Sequence, residues 1–128
     1  MRTTNAIFRS LFVFLLCFAA AGCASTGVRR GGQEPVAFVS VENHNFNDVN
    51  VYAYPQTGIR RRLGTVTGAS AVTFRLPREV VFSGMVRIVA VPIGGFGRAV
   101  TEQISVNRGD TIVFNVEQNL ALSSVIIR

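Results

Sequence analysis

Apolar and polar side chains alternate along most of the chain after its first 35 residues. In the first such stretch, Ala37, Val39 and Val41 alternate with Phe38 and Ser40. A period of two sends successive side chains to opposite faces of an extended strand. Further strands are predicted, in chain order, over residues 49–54, 63–67, 72–76, 86–90, 100–106, 112–117 and 120–127.

Turn-forming residues separate these stretches at fairly even intervals. Gly, Pro, Asn and Asp concentrate in residues 43–48, 55–58, 68–70, 77–84, 92–97 and 107–110. Short strands at this spacing, with no helical period between them, are typical of a sandwich or barrel. We therefore expect residues 36–128 to form one all-β domain, an antiparallel β-sandwich of seven or eight short strands.

Composition agrees with a β-rich domain. After residue 22 the chain has 18 Val and 7 Ile but only 4 Leu, and side chains branched at Cβ favour strands. The inward-facing positions supply enough apolar side chains for one core without disulfides. The layout, notably residues 62–68 followed by an alternating strand, resembles the immunoglobulin-like or transthyretin-like sandwiches appended to envelope proteins. The resemblance is one of layout, without the Cys and Trp that mark antibody domains.

The N-terminal segment has the pattern of an export signal. Two positive charges, Arg2 and Arg9, precede an apolar run over residues 11–21. That run is too short to cross a bilayer, which needs about 20 helical residues. A basic head, a short apolar centre and a small-residue exit predict a secretory signal peptide over residues 1–22.

The exit of this signal, Ala20-Ala21-Gly22-Cys23, resembles the lipobox of bacterial lipoproteins, although the family usually has Leu at the position of Ala20. The resemblance implies that the sulfur of Cys23 receives a diacylglycerol, that the chain is cut before Cys23, and that the new amine is acylated. The alternative is cleavage by ordinary signal peptidase, which would release a soluble protein with a free thiol. Ala24 stands where inner-membrane lipoproteins of enteric bacteria have Asp, so we expect the outer membrane, facing the periplasm.

Residues 23–35 are predicted to be the lipidated cysteine and a flexible tether, because the segment is rich in Gly and ends in Pro. Its twelve residues after Cys23 span at most roughly 40 Å when extended. Several acyl chains on one cysteine give lasting membrane attachment, whereas a single chain gives only marginal binding. The membrane is therefore the first expected partner.

Charge suggests a second kind of partner. The chain has 13 basic residues, all Arg, against 7 acidic ones, for a formal net charge of +6. The densest cluster is Arg60, Arg61 and Arg62, and guanidinium groups bind oxyanions through paired hydrogen bonds. The cluster is a candidate contact for lipid A phosphates, an anionic glycan or an acidic envelope protein; the competing interpretation, a solvated strand end, is the commoner one for such a cluster. Nucleic acid is not expected, because the compartment is wrong and no aromatic stacking series accompanies the charges.

Three aromatic residues complete the predicted binding surface. Tyr52 and Tyr54 face outward on the second strand by the alternation, so they form either a contact patch or half-buried packing. Phe96 lies in a glycine-rich hairpin loop, Gly94 to Gly97, and is expected to be an exposed contact residue.

The Asn-rich segment over residues 43–50 offers a candidate metal or ligand loop built from His44 and Asp48. Zinc needs three or four N or S ligands, and His44 is the only His of the chain. The competing interpretation is a turn in which Asn and Asp side chains bond to nearby backbone amides, with Phe46 tucked beneath it. We favour the turn.

A catalytic role finds little support in the sequence. A serine nucleophile needs an activating base, and no Gly-x-Ser-x-Gly elbow is present. The sequence therefore predicts a non-enzymatic, cofactor-free envelope lipoprotein with a binding or structural β-sandwich. A small envelope hydrolase or metal-binding protein centred on His44 and Asp48 is the alternative.

Overall fold

The computed structural model describes residues 36–56 and 58–128. The signal peptide, Cys23 and the tether predicted above lie outside these residues. Strands form where β-branched residues alternate with polar ones. Nine strands are present: β1 Phe38–Asn43, β2 Val49–Pro55, β3 Arg61–Val66, β4 Ser70–Arg75, β5 Met85–Pro92, β6 Ala99–Val100, β7 Ile104–Ser105, β8 Thr111–Val116 and β9 Ser124–Ile127.

The strands form two sheets. One has four strands in the order β4-β1-β8-β9, and the other has five, with the path β3-β2-β5-β6 and β7 also paired to β5. All pairs are antiparallel except β1 with β8, which run parallel. The expected all-β, two-sheet architecture is confirmed. There are nine strands rather than the predicted seven or eight, because two strands of two residues each, β6 and β7, stand in place of one predicted strand.

The inward faces of both sheets form one apolar core. Val39 and Phe114 from the four-stranded sheet and Val51 and Ile88 from the five-stranded sheet are almost fully buried. A Cβ atom at Gly64 would lie 2.5 Å from Cε1 of Phe74, which is too close for any side chain. The glycine therefore leaves room for a phenyl ring that reaches across from the other sheet.

A short helix, α1 (Arg78–Ser83), replaces the turn predicted over residues 77–84, so that prediction was wrong. Val80 and Val81 of this helix are buried in the core. Gly84 ends the helix in the left-handed conformation, with φ of 69°, a backbone shape that glycine adopts without steric cost. The segment is helical because one turn of helix buries both adjacent valines at the end of the sandwich, which a strand would place on opposite faces.

The single strand expected over residues 100–106 is instead β6 and β7, separated by an irregular segment. The Oγ1 atom of Thr101 accepts a hydrogen bond from the backbone N–H of Ile88 at 3.0 Å, in place of a backbone carbonyl. This break shifts the alternation, so Ala99 is buried while Val100 is 43% exposed. An unbroken strand over residues 100–106 would place Val100 and Ile104 on one face, whereas here Ile104 is buried and Val100 is not.

The two ends of the sandwich carry different loops. The end where β1 begins also holds α1, the turn over residues 107–110 and the last residue, Arg128. We call it the entry pole. The loops over residues 43–48, 67–69, 93–98 and 117–123 connect strands at the opposite end, which we call the distal pole. Leu120–Leu122 form a short 3₁₀ helix, so the strand predicted over residues 120–127 is present only as β9. In residues 36–56 and 58–128, neither this helix nor α1 has the length and apolar character needed to cross a membrane.

Candidate binding face

The outer face of the five-stranded sheet is built around β2. Val49, Val51 and Ala53 of this strand are fully buried, so the alternation turns Asn50, Tyr52 and Tyr54 outward, where they are half-buried. Both tyrosines predicted to face outward do so. Neighbouring side chains therefore cover part of each tyrosine, and Arg60 is one of them.

Arg60 covers the tyrosines from the side of β3. Its Cζ atom lies 4.9 Å from the ring centroid of Tyr52, a cation–π geometry. A hydrogen bond to Tyr54, together with the charge interaction with that residue, raises the pKa of the Arg60 guanidinium above its ordinary value. The side chain therefore remains cationic and is held over the aromatic surface.

Arg62 extends the same surface. It lies opposite Tyr52 in the register of β2 and β3. Its Nη2 atom donates to Asn50 Oδ1 at 2.9 Å and to Thr65 Oγ1 at 2.8 Å. These bonds use neutral acceptors, so they hold the guanidinium in place without neutralising its charge.

Arg61 departs from the predicted cluster. Its Nε atom pairs with Oε1 of Glu79 on α1 at 2.8 Å. Alternation explains the separation, because Arg61 lies opposite Ala53, a residue of the inward face. The structure thus brings Arg60, Arg62, Tyr52 and Tyr54 together but directs Arg61 elsewhere.

Two arginines that the sequence analysis missed lie on the other side of β2. Arg87 of β5 is opposite Tyr54, and Val89 is opposite Tyr52. Arg98, just before β6, joins them in lining a cavity of about 150 Å³ together with Tyr54 and Val100. The available signal was Arg87 itself, a charged outward position in an otherwise apolar strand.

We call this surface the arginine–tyrosine face and define it by Tyr52, Tyr54, Arg60, Arg62, Arg87 and Arg98. None of the outward positions of β2, β3 and β5 is acidic. Arg61, which pairs with Glu79, points away from this surface. Four guanidinium groups around two aromatic rings make a cationic surface with an apolar floor.

Phe96 is not part of this face. It is fully exposed in the loop that follows β5 at the distal pole, and unlike Arg98 of the same loop it does not line the cavity beside Tyr54. Its glycine neighbours Gly94 and Gly97 have φ of 77° and 85°, a conformation that glycine adopts without steric cost, and the predicted hairpin loop is confirmed. Phe46 is also exposed, by 83%, and the expectation that it tucks beneath its turn was wrong.

The Asn-rich segment forms the predicted turn. The buried Asn43 side chain donates to the carbonyls of Asn47, Val66 and Thr67 at 2.9 to 3.2 Å and accepts from the N–H of Asn45. Phe46 leaves the turn because the Asn43 amide already occupies its interior. The segment is rich in Asn because these side chains hydrogen-bond to the backbone and close the turn.

The side chains of His44 and Asp48 contact different partners. Asp48 Oδ1 accepts a hydrogen bond from the N–H of Gly68 at 3.0 Å. The imidazole of His44 lies between Glu42 and Glu117, with N···O distances of 3.7 and 3.9 Å. Among the described residues, no group of three or more His, Cys, Asp and Glu side chains is arranged to hold a metal ion. The two residues of the alternative hypothesis therefore share no ion pair.

Comparison with known proteins extends the description of the fold only. No model of a known protein family matches the chain, and no curated protein matches its sequence. A protein from Eubacterium rectale, solved by NMR, is similar in structure, with a TM-score of 0.50 and 14% sequence identity. The match covers 79% of this chain and 94% of that one. The similarity supports the β-rich two-sheet fold.

Proposed function

We propose that this protein is a membrane-anchored envelope lipoprotein whose β-sandwich is a non-enzymatic binding module, and that its arginine–tyrosine face binds an anionic glycan. The anchor would be the lipid on Cys23, at the outer membrane and facing the periplasm. The observation that carries the binding role is the convergence of Arg60, Arg62, Arg87 and Arg98 on one sheet face around two tyrosines.

The shape and chemistry of the face support a glycan rather than a compact ion. Neighbouring strands are separated by about 4.8 Å. The four adjacent strands β3, β2, β5 and β6 therefore present a surface roughly 15 Å wide. Tyrosine offers an apolar ring and a polar tip, which suits the alternating C–H and hydroxyl surfaces of sugars. Arginine forks pair with the carboxylate or phosphate substituents of acidic sugars.

Preorganisation of the face supports the same role. Arg60 rests on Tyr52, and Arg62 is bonded to Asn50 and Thr65. Side chains already held in place lose less conformational entropy when a ligand binds. The sandwich layout also resembles immunoglobulin-like and transthyretin-like envelope domains, in which rigid sheets present contact residues. We propose passive binding, in which the lipid fixes the location and the sheet supplies the surface.

A matched pair of polymers tests the binding role. The full-length protein in detergent is titrated with carboxymethyl-dextran and with unmodified dextran, which share one backbone and differ in charge. We expect carboxymethyl-dextran to bind more tightly by about tenfold or more, since charge-assisted bonds contribute about 1.5–3 kcal/mol each. Binding should weaken as salt screens the charges.

Arginine variants locate that binding. The double variant Arg60→Gln/Arg62→Gln removes two charges from the face, and Arg75→Gln/Arg108→Gln removes two charges elsewhere on the sandwich. We expect the first to abolish the preference for the charged polymer and the second to leave most of it. Equal losses in both variants, or tighter binding of polyglutamate than of carboxymethyl-dextran, would contradict a glycan-binding face.

Mass spectrometry of the N-terminus tests the anchor independently. The protein purified from bacterial membranes should begin at Cys23 and carry the mass of a diacylglycerol and a further acyl chain. A chain that begins at Gly22 or Cys23 without added mass would show cleavage by ordinary signal peptidase, and the lipoprotein assignment would then be wrong.

A further inference from the structure

The cavity beside Tyr54 has two arginines, Arg87 and Arg98, in its lining. Arg87 enters it from the middle of β5, and Arg98 enters from the hairpin that leads into β6. Like charges that share a space repel each other unless an anion lies between them. The strand and the hairpin nevertheless hold both arginines at the rim of one cavity.

These two arginines differ from the others of the face in their bonding. Arg60 is engaged with the tyrosines, and Arg62 is engaged with Asn50 and Thr65. Within residues 36–56 and 58–128, neither the Arg87 side chain nor the Arg98 side chain has a hydrogen bond or an ion pair. Each guanidinium carries five N–H donors in a planar fork, so the donors at the cavity are available to a ligand.

The remaining walls are apolar and limit the size of the ligand. Val89, Val100 and the side chain of Tyr54 line the cavity between the two arginines. Its volume of about 150 Å³ is similar to that of an engineered protein cavity that accommodates benzene. That volume matches the carbon framework of one six-membered ring, and because the cavity is open to solvent, the substituents of a sugar ring need not be enclosed.

We infer that this cavity is a subsite for one acidic sugar ring. Its carboxylate or phosphate would lie between the guanidinium groups of Arg87 and Arg98, and its ring would lie against Val89 and Val100. This inference rests on the proposed glycan-binding role and names the residue of the glycan that the face recognises. Neutral sugars lack the group that would separate the two positive charges.

Four small probes test the subsite. Backbone amide spectra of the full-length protein in detergent are recorded during titration with galacturonate, galactose 6-phosphate, galactose and inorganic phosphate. We expect one or both sugar acids to shift the amides of residues 87–89 and 98–100 and to bind at least about tenfold more tightly than galactose. The two sugar acids distinguish a carboxylate ligand from a phosphate ligand.

The other outcomes overturn the inference. If galactose bound as tightly as the sugar acids, the arginines would contribute nothing to binding. Equal binding of inorganic phosphate would show that the ring contributes nothing, and shifts confined to other residues would place the ligand elsewhere.

Variants tie the probes to the cavity. Arg98→Gln changes a hairpin residue outside the strands, and Arg87→Gln changes the matching group on β5. Each should weaken binding of the preferred sugar acid by about tenfold or more, while Arg75→Gln, on the other sheet, should leave it unchanged. Unchanged affinity in both cavity variants would overturn the inference.

Failure of the subsite and failure of the proposed function give different results. If carboxymethyl-dextran binds through Arg60 and Arg62 but none of the small probes binds at the cavity, the subsite is wrong and the face remains. If a sugar acid binds at Arg87 and Arg98 but the polymer does not bind, the cavity remains and the extended glycan-binding face is wrong.

Discussion

The outer faces of the two sheets follow the same alternation but present opposite chemistry. On the four-stranded sheet, short polar side chains bond to their cross-strand neighbours: Thr73 to Ser40 at 3.2 Å and Asn115 to Ser124 at 3.3 Å. On the five-stranded sheet, long arginines surround two tyrosines. The strands of the four-stranded sheet carry one arginine, Arg75, whereas four arginines surround the tyrosines of the other sheet. Side-chain length and charge, rather than backbone architecture, distinguish a plain face from a candidate binding face.

The largest expected effect concerns the core that both faces share. Phe114→Ala truncates the inner side of the four-stranded sheet, and Ile88→Ala truncates that of the five-stranded sheet. Each should lower the free energy of unfolding by about 2–5 kcal/mol, because a buried apolar group is replaced by a cavity. Urea denaturation measures the change. If only one variant is destabilised, the two sheets do not share a single core.

A smaller effect is expected for two asparagines in different settings. Asn43→Ala leaves buried carbonyls of Val66 and its neighbours without a donor and should cost about 1–3 kcal/mol. Asn115→Ala removes an exposed bond on the plain face and should change stability by less than about 0.5 kcal/mol. Thermal or urea unfolding of both variants compares them, and equal losses would contradict the role given to the Asn-rich turn.

The ion pair that draws Arg61 away from the arginine–tyrosine face should contribute less. Both Arg61 and Glu79 are about half exposed, so solvent screens their attraction. Glu79→Gln should lower stability by about 1 kcal/mol or less at low salt, and the loss should vanish near 1 M NaCl. Glu102→Gln is a matched control, since it makes the same charge change without breaking an ion pair. A larger loss in the control would contradict the pairing.

The smallest expected effect is local and concerns the cover over Tyr52. The Cζ atom of Arg60 lies 4.9 Å from the Tyr52 ring centroid, so the NMR signals of the protons next to the guanidinium group should be shifted upfield by the ring. Tyr52→Leu should return these signals to ordinary positions without changing the global fold, and Thr73→Leu on the plain face should not affect them. Unshifted Arg60 signals in the unmodified protein would show that the guanidinium does not rest on the ring.

Sequence reasoning found the strands because alternation with β-branched residues is a strong local signal. The outward placement of Tyr52 and Tyr54 followed from the same period. The helix over Arg78–Ser83 was missed because its single turn contains only two buried residues and is flanked by Pro77 and Gly84, which indicate a turn when the sequence is considered alone. A period of two also says nothing about the partner of a strand, so the parallel pairing of β1 with β8 was not predictable.

The candidate site was found only in part for a related reason. Arg60, Arg61 and Arg62 are consecutive, yet alternation directs Arg61 to Glu79 and leaves the other two beside the tyrosines. Arg87 and Arg98 belong to different arms of a hairpin, and only the pairing of β5 with β6 brings them to one cavity. Long-range pairing, which the sequence does not display, assembles the face.

Residue-level mapping of the charged polymer tests the central claim most directly, because it compares both outer faces in one experiment. Amide spectra of the full-length protein in detergent are recorded with and without carboxymethyl-dextran. We predict that carboxymethyl-dextran shifts the amide signals of Tyr52, Tyr54, Arg62 and Arg87 most. At Ser40, Thr73 and Asn115 it should shift the signals no more than neutral dextran does. Changes centred on the four-stranded sheet, or equal changes with neutral dextran, would contradict the account.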